Sequence, residues 1–411
     1  MDKVIKYVGL DAHKKFCYAT SMDKSGNIID QGRFLTTNSC LGTFINEIGS
    51  NAKVVVEAST SGLRVYDYLD ANDTNIIMAH PLKLKAIASA KVKTDKIDSE
   101  VLANLLRTDF IPEAYVPPRE IRDLRGLVRH RTAVVKVRTS LKNRVHSILT
   151  LEGVDYDFSD LFGKAGRELL GTLKLRKYNR VALDNYLTII DDPGMRIKEV
   201  TELVDEVVDQ DENSDAKTLA AEIKGLGTYT ALLCTSEIGD INRFPEYKKL
   251  SSYAGLIPST SSSGGVTRHG KITKQGNKLL RWALVQAAWR VIRYDANLRD
   301  FYNRLKKKKG SSKAITATAR KLLKKIYFKL KDIQEDSTNT ESSQSNSSNI
   351  KNSSSRNTNT DNSQSNITNI KNSSSRNTNT LSSSSNRTNV NNTEDNSISI
   401  NTNQVYVSQG N

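Results

Sequence analysis

The chain has 411 residues, with 61 Lys and Arg against 45 Asp and Glu, for a net charge of +16. Residues 337–411 hold five of those basic and four of those acidic residues, so the body keeps +15, an excess that points to a polyanionic partner, most often nucleic acid. Cys17, Cys40 and Cys234 are widely spaced and form no CxxC pair, which argues against a disulfide framework or a zinc site; with no N-terminal leader and no apolar run near the roughly 20 residues of a membrane span, the protein is expected to be soluble, cytoplasmic and without a membrane partner.

Val4–Leu10 is apolar and β-branched and predicts a buried strand, with Asp11 at its end. A buried carboxylate there is costly unless it is paired, hydrogen-bonded or metal-bound. Strands at Phe16–Met22 and Ile28–Leu35 follow, joined by the turn residues Asp23–Asn27. Asn38 is placed to cap a short helix with Leu41, Phe44, Ile45 and Ile48 on one face. Lys53–Val56 is a fourth strand, and Glu57 ends it as Asp11 ends the first. A helix from Thr60 and a strand at Asn75–Ala79 come next. Lys93-Thr94-Asp95-Lys96-Ile97-Asp98 then opens a helix on which Asp95 and Asp98, three residues apart, share a face. Two acids in a first helical turn also suit the helix dipole and need no ligand for that.

The order of three strands, helix, strand, helix, strand, helix, together with Asp11, Glu57, Asp95 and Asp98, resembles the ribonuclease-H-like fold in its RuvC-like, four-carboxylate form. That resemblance implies a phosphodiester site with two Mg²⁺ ions, Mn²⁺ being the alternative. Mg²⁺ prefers a few carboxylates plus substrate phosphate, and two ions about 4 Å apart can stabilise both the attacking and the leaving oxygen.

Prolines at 112, 117 and 118 mark a boundary, after which Glu120–Leu149 predicts a long helix. Its apolar stripe (Ile121, Leu124, Val128, Val135, Leu141, Val145, Ile148) suits helix packing or a coiled coil. Nine basic residues from Arg119 to Arg144 form its other faces and are read as contacts to a nucleic-acid backbone, a solvated face being the plainer alternative. Helices are expected at Leu183–Ile190 and Met195–Val208, separated by Asp191-Asp192-Pro193-Gly194. Gly225-Leu226-Gly227, ahead of a helix at Tyr229–Ile238, suits either a helix-hairpin-helix phosphate contact or a tight interhelical turn. Ser261-Ser262-Ser263-Gly264-Gly265 reads as a flexible loop among Arg268, Lys271, Lys274, Lys278 and Arg281. A hydroxyl held among those cations beside a bound phosphate could attack it. Trp282–Leu305 is expected as one helix, Lys306–Gly310 as a basic turn and Ala314–Ile333 as a further helix. From Asp336 the composition collapses to Asn, Ser and Thr, with the segment at 350–360 recurring unchanged at 370–380, and disorder is expected.

The whole of residues 4–330 resembles the DEDD/serine insertion-sequence transposases, related to the Piv-type invertases. The motifs that carry this are Gly9-Leu10-Asp11, Val56-Glu57-Ala58, Lys93 to Ser99, Gly225-Leu226-Gly227, Ala254-Gly255-Leu256-Ile257-Pro258 through Ser263-Gly264, and Lys271 to Asn277 on to Leu280-Arg281. The resemblance implies a RuvC-like α/β domain at 1–112, a basic helical linker at 113–215, a C-terminal transposase domain at 216–335 and a disordered tail at 336–411. It implies Ser263 as nucleophile, with Ser262 as the alternative in a run of three serines, and Asp11, Glu57, Asp95 and Asp98 as metal ligands. Asp95 or Asp98 would also accept a proton, while Arg268, Lys271 and Lys274 stabilise developing charge. Its partners would be donor and target DNA, an element-encoded guide RNA, and further copies of the chain in a dimer or tetramer. The competing expectations are a metal-dependent nuclease of the junction-resolving type and an inactive nucleic-acid-binding remnant.

Overall fold

The computed structural model describes residues 6–88, 94–157, 159–210, 215–263 and 265–354, with only the backbone described for Ser261, Val266, His269 and residues 337–354. The chain divides into two units, Met1–Ser345 and Asn346–Asn411, and the sites below lie in the first. Strands β1 (Lys6–Ala12), β2 (Phe16–Met22), β3 (Ile28–Leu35), β4 (Ala52–Glu57) and β5 (Asn75–Ala79) form one sheet in the order β3-β2-β1-β4-β5. The first three pair antiparallel, whereas β4 lies parallel to both β1 and β5. Helices α1 (Asn38–Ile48), α2 (Thr60–Asp70), α3 (Pro81–Ile87) and α4 (Asp95–Arg107) complete this part. Successive strand residues face opposite sides. Val54 and Val56 therefore pack with Leu41, Phe44 and Leu69 of α1 and α2, while Val55 packs with Leu102 and Leu106 of α4. Burying both faces explains why β1 and β4 are apolar runs rather than alternating ones.

The succession of three strands, helix, strand, helix and strand along the chain is as the sequence predicts, and the strands at Phe16–Met22, Ile28–Leu35 and Asn75–Ala79 fall on the expected spans. The α1 cap is corrected: Thr37, not Asn38, caps the helix, its hydroxyl accepting from the Cys40 amide at 3.3 Å. Asn38 instead accepts a bond from Arg64. Helix α3 follows His80 directly, started by Pro81, whose missing N–H costs nothing in a first turn. The segment at 112–116 returns to the sheet: the Ala114 amide donates to the Met78 carbonyl at 2.7 Å, and Ala114 and Val116 pack on the N-terminal core.

Helix α5 (Arg119–Leu151) is the expected long helix, followed by α6 (Lys164–Thr172) and α7 (Lys177–Gln210). The two helices expected around Pro193 are one continuous helix, α7, with Pro193 buried inside it. An internal proline removes one hydrogen bond and costs about 3 kcal/mol in isolation. Here Leu183, Ile190, Ile197, Val204 and Val208 are buried on both sides of the equally buried proline, and α7 packs along α5.

Helices α8 (Asp215–Glu222), α9 (Thr228–Ile238), α10 (Tyr247–Tyr253), α11 (Lys278–Val291), α12 (Ala296–Lys309) and α13 (Ser311–Ser354) surround one apolar core that also takes Val128 of α5 and Val204 and Val208 of α7. The helix expected over Trp282–Leu305 is broken between α11 and α12, where the Asp295 carboxylate caps α12 through the Leu298 amide. The four lysines expected in a basic turn form the last turn of α12, where cations complement the helix dipole. Helix α13 continues to Ser354, past the expected onset of disorder at Asp336; extension from a formed helix needs no new nucleus. The remainder of the Asn/Ser/Thr-rich tail, 355–411, lies outside the described residues.

The serine-rich stretch is an antiparallel hairpin rather than a flexible loop: β6 (Pro258–Ser263) pairs with β7 (Val266–Ile272), Ser263 opposite Val266. The sequence reading assigned this stretch to mobility, whereas the two strands pair from Pro258 opposite Ile272 to Ser263 opposite Val266. Gly264 itself lies outside the described residues.

Candidate metal centre and serine hairpin

Asp11 sits on β1 one residue beyond Leu10, which lies opposite Val56, so Asp11 and Glu57 leave the sheet side by side at the carboxyl ends of parallel strands. That end of an α/β sheet is where ligands are commonly bound. Two close approaches set the geometry. A Cβ on Gly9 would lie 2.1 Å from the Ser99 carbonyl oxygen and 2.5 Å from the Ala103 amide, so only glycine lets α4 lie this near β1. A Cβ on Gly62 would meet the Glu57 carbonyl oxygen at 2.1 Å, so α2 can start tight against the end of β4. The buried Thr20 and Ser99 hydroxyls, 2.7 Å apart, then tie α4 to β2.

Helix α4 is capped by Thr94, whose hydroxyl accepts from the Ile97 amide at 3.2 Å, and this places Asp95 and Asp98 in the first turn. Lys93, the first residue of that motif, lies outside the described residues. His13 completes the arrangement. Its Nε2 is 3.2 Å from Asp11 Oδ2 and 3.2 Å from Asp95 Oδ1. One ligand atom from each of Asp11, His13 and Asp95 falls within 4.8 Å of the others, a donor set of two carboxylates and one imidazole that fits a divalent cation. Burial pushes the Asp11 carboxyl above its ordinary value, opposed by His13 and reinforced by the charges of Asp95 and Asp98. Asp98 is therefore close enough to act on Asp11 without belonging to the three-residue cluster, and Glu57 flanks it from the neighbouring strand. The sequence reading missed His13; its signal was the Asp-x-His spacing in a turn too short to carry the imidazole away from the strand end.

Ser263 and Ser262 lie exposed on β6. The Ser262 hydroxyl is 3.3 Å from that of Thr267 across the hairpin. The hairpin forms its own two-stranded sheet, separate from the sheet that carries the acids. Arg268 and Lys271 are exposed on β7, while Arg281 is committed to the Ala254 carbonyl at 2.9 Å.

The basic face of α5 is corrected most. Arg122 pairs bidentately with Asp67 at 2.7 and 2.9 Å. Arg125 donates to the Ser236 and Glu237 carbonyls, and Arg129 grips the fully buried Glu237 carboxylate at 2.7 and 2.9 Å. Arg131 bonds Thr201 and stacks over Tyr229. These arginines join the linker to its neighbours, because a planar guanidinium satisfies buried carboxylates and carbonyls that lysine fits less well. Arg119 lies 4.0 Å from Asp67, Lys142 sits over the Phe162 ring and Arg144 meets Tyr186, which leaves Lys136 and Arg138 as the members of the nine without a polar or ring partner among the described residues. Lys136 lines a groove of about 600 Å³ with Thr139, Ser140, Asn143, Arg144 and Trp282. Leu226, between the two glycines expected near phosphate, is fully buried, and Gly225 abuts the Tyr294 ring, so this segment is an interhelical turn.

No helix among the described residues is long and apolar enough to cross a membrane, and the three cysteines are free thiols. A family model described as "Transposase IS116/IS110/IS902 family" matches residues 217–303, and a DEDD-type model described as "Transposase" matches residues 8–152. The transposase for insertion sequence element IS1111A of Coxiella burnetii is 24% identical over 329 residues, covering 78% of this chain and 88% of the relative. An IS116 insertion-element protein of 44.8 kDa from Streptomyces clavuligerus is 23% identical over 382 residues, covering 79% and 94%. The transposase for IS1328 of Yersinia enterocolitica is 24% identical over 289 residues, covering 69% and 83%.

Proposed function

The chain belongs to the IS116/IS110/IS902 family of insertion-sequence transposases acting on DNA, and from that premise we propose that it cuts and rejoins DNA by attack of Ser263 on a scissile phosphate at a divalent-metal site. The observation that carries this reading is the convergence of Asp11 and Asp95, 84 residues apart in sequence, at the carboxyl end of the central sheet. The strand order β3-β2-β1-β4-β5, with its antiparallel meander and parallel β4 and β5, supports a RuvC-like, ribonuclease-H-like assignment for residues 1–112. The separate apolar core shared by α8 to α13 supports a C-terminal transposase domain at 216–335, with the linker at 113–215 between them.

Asp11, Glu57, Asp95 and Asp98 would hold Mg²⁺, or Mn²⁺, against the substrate phosphate. When bound, the cation neutralises charge on the phosphate and on the leaving oxygen. The Ser263 hydroxyl gives up its proton, its oxygen forms the bond to phosphorus, and the bond to the leaving sugar oxygen breaks, that oxygen taking a proton. Asp95 or Asp98 would accept the serine proton. Arg268, Lys271 and Lys274 would steady the charge that develops on the phosphate. The phosphoserine keeps the bond energy for religation. Because the hairpin and the acid-lined sheet are separate in one chain, the serine would reach the acids of a second copy in a dimer or tetramer. An RNA encoded by the element would select donor and target DNA by base pairing, leaving the protein to hold backbone and shape.

A second reading, a junction-resolving nuclease in which water attacks, is favoured by one observation: Asp11 and Asp95 converge at one sheet, while Ser263 lies on a different, two-stranded sheet. Trapping on nicked DNA with Mg²⁺ and the cognate RNA decides between the two. A covalent protein–DNA adduct lost in both Ser263→Ala and Asp11→Asn is expected. Metal-dependent cutting that survives Ser263→Ala, with no adduct, would hand the case to hydrolysis. An adduct that survives Ser263→Ala but not Ser262→Ala would move the nucleophile by one residue.

A further inference from the structure

We propose that His13 is a nitrogen ligand of the metal site, completing with Asp11 and Asp95 a mixed set that favours Mn²⁺ and Co²⁺ over Mg²⁺. The inference rests on the reading that Asp11 and Asp95 hold a divalent cation, and adds to it a residue outside the four-carboxylate set. The geometry comes from the turn between β1 and β2. The His13 amide donates to the Phe16 carbonyl at 2.9 Å, and the Thr36 hydroxyl donates to the His13 carbonyl at 3.0 Å, so the backbone is pinned on both sides of the ring. The imidazole packs on the Phe16 ring, centroids 4.8 Å apart, and the Arg33 guanidinium lies 3.7 Å from the same Phe16 centroid. Packing thus aims Nε2 between the two carboxylates, 3.2 Å from each.

An imidazole lone pair is a softer donor than a carboxylate or water oxygen. Affinity of a nitrogen-containing set rises from Mn²⁺ towards Co²⁺ and Ni²⁺, whereas Mg²⁺ keeps to oxygen. A site of four carboxylates alone follows the same order more weakly, and gives a bound ion no nitrogen neighbour. The alternative role for His13 is an imidazolium that bridges Asp11 and Asp95 and leaves when a cation arrives.

Full-length protein, its His13→Gln, His80→Gln and Asp11→Asn variants, and Mn²⁺ as the probe separate these roles by pulsed electron paramagnetic resonance. The expected result is an imidazole ¹⁴N coupling on bound Mn²⁺ in the wild type and in His80→Gln, abolished in His13→Gln. His13→Gln should keep Asp11-dependent binding weakened about 10- to 100-fold, the range for losing a group that supports a metal ligand set, and that residual binding shows that its site is folded. The Mn²⁺-over-Mg²⁺ preference should fall with it. Asp11-dependent Mn²⁺ binding with no ¹⁴N coupling, or a coupling that survives His13→Gln, overturns the role of His13 and leaves the carboxylate site standing. Absence of any Asp11-dependent binding in the wild type overturns the metal reading and this inference together.

Discussion

The two chemically suggestive regions of this chain are built in opposite ways. The acids sit at the end of a sheet buried on both faces, with α4 held against β1 by Gly9 and by the Thr20–Ser99 bond. The serines sit on an exposed two-stranded hairpin whose strands pair only with each other. Like charges repel and stay together only where a rigid frame confines them or a cation joins them. A hydroxyl carries no such penalty, and so can wait on a hairpin until substrate or a second copy brings it to the acids. The contrast teaches that confinement is needed by the charged half of the proposed site and not by the neutral half.

The comparison breaks first if the confined half can be lost cheaply. Asp11→Asn is expected to lower DNA strand cleavage by about 10³-fold, on the scale of losing a preorganised electrostatic group, measured on radiolabelled substrate with Mg²⁺. Cleavage within tenfold of wild type would remove Asp11 from the chemistry. Ser263→Ala should abolish the covalent adduct while DNA affinity, read by fluorescence anisotropy, changes less than twofold; a large loss of affinity would make the hairpin a binding element instead.

Gly9→Ala sharpens the frame itself. Its methyl group would collide with the backbone of α4. The expected cost is about 1–3 kcal/mol of stability, typical of overpacking, accompanied by weaker Mn²⁺ binding because Asp95 moves away from Asp11. Lost stability with unchanged metal affinity would show that α4 position does not set the site.

Glu237 tests the joint between the linker and the C-terminal helices, since it is fully buried and bonded by Arg129 from the linker and by Asn277, the cap of α11. Glu237→Gln should cost about 3 kcal/mol, the low end for breaking a buried pair because Arg129 is half exposed. Burial pushes the Glu237 carboxyl up, but the bonds from Arg129 and Asn277 and the charges of Arg129 and Arg125 outweigh it, so the net shift is below the ordinary 4.5. A lowered carboxylate contributes stability that is present above pH 4.5 and lost as pH falls through the folded-state value. The gap in melting temperature between wild type and Glu237→Gln should therefore close below pH 4.5; a gap constant down to pH 3 would mean that the pair contributes through packing alone. The smallest effect is expected for Lys136→Ala, which should leave stability unchanged and shallow the salt dependence of DNA binding by about one phosphate contact.

Much of the acid-lined region was legible in the sequence because strand runs, turn residues and an acid at a strand end are local signals. Asp11, Glu57, Asp95 and Asp98 could be named from them. His13 could not, since a histidine in a turn has no periodicity, and its meaning comes from Asp95 arriving 82 residues later. The basic face of α5 misled for the complementary reason. Arg122, Arg125 and Arg129 read as a polyanion-binding stripe, and only Asp67, Ser236 and Glu237, each distant in sequence, turn them inward. Pro193 reads locally as a break because the cost of an internal proline is large, while the buried apolar positions that outweigh it run through both halves of α7.

By itself, then, the sequence determined the strands, the acids at their ends and the long linker helix, all of which rest on short-range patterns of hydrophobicity and turn chemistry. Tertiary structure alone decided which charges meet. It brought His13 between Asp11 and Asp95, spent the linker arginines on internal carboxylates and carbonyls, and folded the serine run into a hairpin apart from the main sheet. Charge and hydrogen bonding act over a few ångströms of space, and residues that close in space can stand a hundred apart along the chain.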